Sequence, residues 1–120
     1  MTAPLLHRRR WRTLWQALFV LLFITISYLA LSPAPPAGVS TGWDKANHAL
    51  AFASLAFCGR FAGARRSWPL FIALLSYGGV IEWVQFYVPN RSCDWHDLLA
   101  DAVGIALGLL VSRGMPADRR

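Results

Sequence analysis

Trp68–Val88, WPLFIALLSYGGVIEWVQFYV, is an apolar run that carries a carboxylate, Glu82, and an amide, Gln85, near its end. About 20 apolar residues suffice to cross a bilayer. An ionisable group inside such a run is expensive and marks a functional site by default. Working outward, three more apolar segments appear. Trp15–Leu31 is uninterrupted, Asp44–Ala62 is alanine-rich, and Trp95–Ser112 begins polar and ends apolar. The expectation is an all-α membrane protein, a bundle of four transmembrane helices. The second and fourth segments are weaker and need their neighbours to insert.

The bulk properties agree. Of 120 residues, 56% are hydrophobic and 15% charged, and the mean hydropathy is +0.40. The net charge of +6 does not indicate nucleic acid, because the arginines cluster between apolar blocks rather than on one amphipathic face. Cys58 and Cys93 give no metal spacing and no C-x-x-C motif. The first segment has a basic start but an apolar core longer than the usual ~7–15 residues of a signal peptide, so it reads as a retained helix.

The arginines set the orientation. Arg8, Arg9, Arg10 and Arg12 precede the first helix, Arg60, Arg65 and Arg66 sit at the turn-around after the second, and Arg113, Arg119 and Arg120 end the chain. In an alternating bundle these share one side, and only Lys45 and Arg91 fall on the other. Both termini are therefore expected in the cytoplasm, with residues 1–13 a basic N-terminus, 14–112 the membrane domain and 113–120 a tail. Cys58 and Cys93 then lie towards opposite sides, with Cys58 about 21 Å of helix rise from Asp44 at the outer end, and no disulfide between them is expected.

Every polar motif lands on the outer side. Asp44, Lys45 and His48 start the second helix, Glu82 and Gln85 sit near the end of the third, and Arg91, Asp94, Asp97 and Asp101 run from loop to fourth helix. Asp44 and His48 share a face, as do Glu82 and Gln85. Asp94, Asp97, Asp101, Gly104 and Gly108 form one stripe, acidic outside and glycine deeper in. Gly104-x-x-x-Gly108 suits close helix packing, and Gly78 allows close approach beside Glu82. Asp94 and Asp44 also suit helix N-caps. Trp43, Trp68, Trp83 and Trp95 fit the aromatic belts of a bilayer, and His7 and His96 read as interface residues.

The combination Asp44-Lys45-x-x-His48, Glu82-x-x-Gln85 with Pro89 and Arg91, and Asp97 with Gly104 and Gly108 resembles the VanZ-like family of small integral membrane proteins. The likeness runs from Trp43 to Gly108. It implies a helical bundle in a bacterial cytoplasmic membrane, in a family whose founding member is associated with resistance to the glycopeptide teicoplanin. Members often carry asparagine where this chain has Asp101, so the site here is more acidic.

Three functions fit these residues. The favoured one is a site that binds or remodels an envelope lipid, a lipid-linked precursor or a lipoglycopeptide, with Lys45 and Arg91 contacting phosphate or carboxylate. The second is an acid–base or metal-assisted enzyme with His48, Glu82 and Asp97 as candidate catalytic groups. In it Asp97 orients His48, and Glu82, Asp97 and Asp101 are candidate ligands for a divalent cation. The third is an accessory subunit whose charges only hold the bundle together. Four short helices are too few for an ordinary transporter without oligomerisation.

Overall fold

The computed structural model describes residues 3–33, 44–89 and 94–115. It contains four α-helices, α1 (Ala3–Leu31), α2 (Asp44–Phe61), α3 (Ser67–Gln85) and α4 (His96–Arg113), and no strand among the described residues. The all-α expectation holds. Residues 9–31 of α1 and the whole of α3 are long and apolar enough to cross a membrane, whereas α2 and α4 do not meet that measure on their own.

Two helix limits differ from the sequence expectation. α1 begins at Ala3 rather than near Trp15. Arginine is a good helix former, so the basic stretch continues the helix instead of ending it. α3 stops at Gln85, three residues before Val88. There the amides of Tyr87 and Val88 bond three residues back, to Val84 and Gln85, and the helix tightens into turns ahead of Pro89. Glu82 is therefore within one turn of the helix end and shallower than the apolar run implies.

α2 and α4 share the most extensive interface. It is a seam of small residues. A Cβ on Gly104 would collide with the Ala49 carbonyl oxygen, and one on Gly108 with that of Ala53. Glycine on one helix and alanine on the other, both at i,i+4, let the two backbones touch. Ala49 and Ala53 were not singled out in the sequence, although their spacing matches that of the glycines. Around the seam, Phe52, Leu55, Ala56, Leu74, Ile81, Ile105 and Leu109 form the buried core.

α1 packs on the outside of this core through aromatic rings. Trp15 meets Phe57 and Phe61, with centroids 5.7 and 4.9 Å away, and Phe23 stacks on Tyr77 at 4.5 Å. The Ser27 and Tyr77 hydroxyls are hydrogen-bonded to each other between α1 and α3. The α2–α3 turn closes at Gly63, whose φ of 125° favours glycine. The Ala64 amide donates back to the Gly59 carbonyl at 3.2 Å and ends α2.

Candidate functional site

The C-terminal ends of α1 and α3 and the N-terminal ends of α2 and α4 lie at one end of the bundle, and the polar side chains meet there. His48, from the second turn of α2, is the hub. Its Nδ1 lies 2.9 Å from Asp101 Oδ1. Its Nε2 lies 3.6 Å from Asp97 Oδ2 and 4.0 Å from Glu82 Oε1. Asp97 and Asp101 come from one face of α4, and Glu82 comes from α3.

The carboxylates are held from behind. Lys45 Nζ donates to Asp97 Oδ1 at 3.3 Å and to Asp94 Oδ2 at 2.9 Å. The Asp94 backbone amide donates to Glu82 Oε2 at 3.1 Å. Asp101 Oδ2 occupies space that a side chain at Gly78 would fill, since a Cβ there would lie 2.5 Å away. Gly78 thus makes room for a carboxylate from α4 rather than for a helix backbone.

Burial is nearly complete. Glu82 and Asp101 are 0% exposed and Asp97 2%. His48 is mostly buried, and Lys45 and Asp94 lie at the rim, 38% and 42% exposed along their side chains. Asp94 also accepts from the His96 amide at 2.9 Å and lies 3.0 Å from His96 Nδ1. The bond from Lys45, with those from the His96 amide and ring, pulls the Asp94 carboxyl down to about 2.

Gln85 donates to the Ala30 carbonyl at 2.7 Å and ties α3 to the end of α1. It faces α1 rather than the imidazole. Asp44 opens α2 at the same end of the bundle. Arg91 and Cys93 lie outside the described residues, so the roles foreseen for them stay with the sequence. Cys58 is a buried free thiol on α2, well along the helix from His48.

One assignment from sequence changes at the atomic level. Asp101, not Asp97, makes the short contact to His48 Nδ1. The reason is helical phase. Asp101 lies one turn deeper than Asp97 on the α4 stripe, and the close seam draws that level of α4 onto His48.

The fold and site define a small all-α protein with an imidazole–carboxylate centre sealed between three helices. The family model described as VanZ/LLP1 matches residues 5–115, nearly the whole chain, and this chain belongs to that family. No curated protein and no solved structure matches it.

Proposed function

We propose that this chain is a multi-pass protein of the bacterial cytoplasmic membrane whose outward-facing centre binds the polar head of an envelope amphiphile. That amphiphile is a lipid, a lipid-linked precursor or a lipoglycopeptide of the teicoplanin type. The observation that carries the reading is an inversion of polarity. Three carboxylates, Glu82, Asp97 and Asp101, are buried at one end of the bundle, while Leu21, Ile24, Ile72, Val80, Leu107 and Leu110 are exposed on the outside. A water-soluble fold does not leave so much contiguous apolar surface uncovered, and a bilayer covers it.

Two further features support an amphiphile. Lys45 stands at the rim, where its ammonium can trade a carboxylate for a phosphate or carboxylate of the ligand. An apolar groove of about 460 Å³ runs between α1, α2 and α4, lined by Leu18, Leu22, Ala53, Phe57, Leu107 and Val111. It suits an acyl chain.

The contacts of His48 favour a second reading, acid–base turnover of the same ligand. Asp101 at Nδ1 holds the ring so that Nε2 faces Glu82 and Asp97. That is the arrangement of a general base held by a carboxylate.

Native mass spectrometry of the detergent-purified protein with envelope lipids and lipid-linked precursors tests both. A retained, unchanged amphiphile supports binding, and a ligand mass altered only by active protein makes it an enzyme. Folded wild-type protein that neither retains nor alters any of them refutes the proposal and leaves an accessory structural role.

A further inference from the structure

We propose that His48 Nε2, Glu82 Oε1 and Asp97 Oδ2 together bind one divalent metal ion of the zinc or manganese class. One ligand atom from each of these three residues lies within 4.8 Å of the other two. Ligand atoms about 2.0–2.2 Å from a tetrahedral ion lie roughly 3.3–3.6 Å apart. The observed 3.6 and 4.0 Å from Nε2 are close to that, and small side-chain shifts complete the set.

The stronger argument is how each ligand is presented. Asp101 holds His48 by Nδ1, which leaves Nε2 facing the two carboxylates. Lys45 holds Asp97 by Oδ1, so its Oδ2 is the oxygen that faces the imidazole. The Asp94 amide holds Glu82 by Oε2, so its Oε1 is the oxygen that faces inward. In each case one atom is anchored and its twin converges on a shared centre. Supporting hydrogen bonds of this kind are the usual outer shell of a metal site.

An independent observation points the same way. Glu82 Oε1 is fully buried and has no hydrogen-bond partner among the described residues. An orphaned carboxylate oxygen in a buried site is costly unless a proton or cation meets it. Charge agrees too. Glu82, Asp97 and Asp101 all converge on the His48 imidazole. One nitrogen and two carboxylate ligands suit zinc or manganese better than calcium or magnesium, which prefer all-oxygen shells. Three protein ligands leave a coordination position for an oxygen of the head group. Asp101 is a positioning residue here, not a ligand.

The proposal deepens the reading above and rests on it only for what fills that last position. Its test uses the chain alone in detergent, stripped with chelator and checked for helicity. The protein is equilibrated with Zn²⁺, Mn²⁺ or Co²⁺, desalted, and its metal measured by plasma mass spectrometry, with the Co²⁺ visible spectrum recorded alongside. One tightly held ion per chain and an intense four- or five-coordinate Co²⁺ spectrum are expected. Glu82→Gln and His48→Gln should weaken binding by at least tenfold. Asp101→Asn, whose amide oxygen can still accept from Nδ1, should weaken it less than Asp101→Leu. Folded wild-type protein that stays ion-free, or holds Co²⁺ only with the weak spectrum of the hydrated ion, overturns the proposal even if a variant fails to fold. No ion with a lipid still retained removes the metal and leaves the amphiphile reading standing. An ion without lipid retention does the reverse.

Discussion

Asp94 serves three neighbours at the rim. Its side chain caps the His96 amide and pairs with Lys45, and its own amide holds Glu82. The folded carboxyl titrates near 2, below its ordinary 3.8. A depressed carboxylate contributes stability above its unfolded value and loses it as pH falls through its folded value. The contribution is therefore complete above about pH 4 and disappears towards pH 2. Wild-type protein should lose thermal stability more steeply across that window than Asp94→Asn, measured by melting in detergent at a series of pH values. Added salt should shrink the difference, because the pair is partly exposed. The sequence offered Asp94 as the N-cap of α4, whereas Trp95 holds that position and Asp94, one residue earlier, accepts from the His96 amide. The bond from the Asp94 amide to Glu82 was not legible, because a backbone donor carries no residue signature.

At the scale of the element, the α2–α4 seam makes a sharper distinction than glycine content does. Gly104 faces the Ala49 carbonyl, whereas a side chain at Gly79 would meet nothing within 4 Å. Gly104→Ala must push two backbones apart, with an overpacking cost of about 1–3 kcal/mol. Gly79→Ala gains helix propensity, up to about 1 kcal/mol. Unfolding of the two variants side by side in detergent should show opposite signs, and equal effects would contradict the seam. The sequence made the glycine stripe visible but not its partner, since alanine is common in any apolar helix. Helix existence was legible from apolar length. The ends were less so, because arginine prolonged α1 and the apolar Phe86–Val88 left α3 for a turn.

For the whole molecule, the sequence reading placed Lys45, His48, Glu82, Asp97 and Asp101 at one end by alternating four helices, and the structure brings those five together. Topology could do this because it needs only helix order. Which oxygen meets which nitrogen depends on rotation about each helix axis, and no pattern of residue types reports that. The orientation in the envelope rests on arginine placement. Reporter fusions at the N- and C-termini should both read as cytoplasmic, and an external signal from either would refute the four-span arrangement.

The small-residue seam joins α2 not to its neighbours in sequence but to α4, the helix after next. For a chain threaded into a bilayer from its N-terminus, α1 and α3 can settle into lipid unaided. α2 leaves the ribosome with Lys45 and His48 unmatched, and the carboxylates and glycines that complete it arrive about fifty residues later. On the membrane reading, α2 is held in a bilayer only once α4 has joined it. On the same reading, a chain cut before α4 should leave α2 without the partner that matches its polar end, and α2 should then fail to stay inserted.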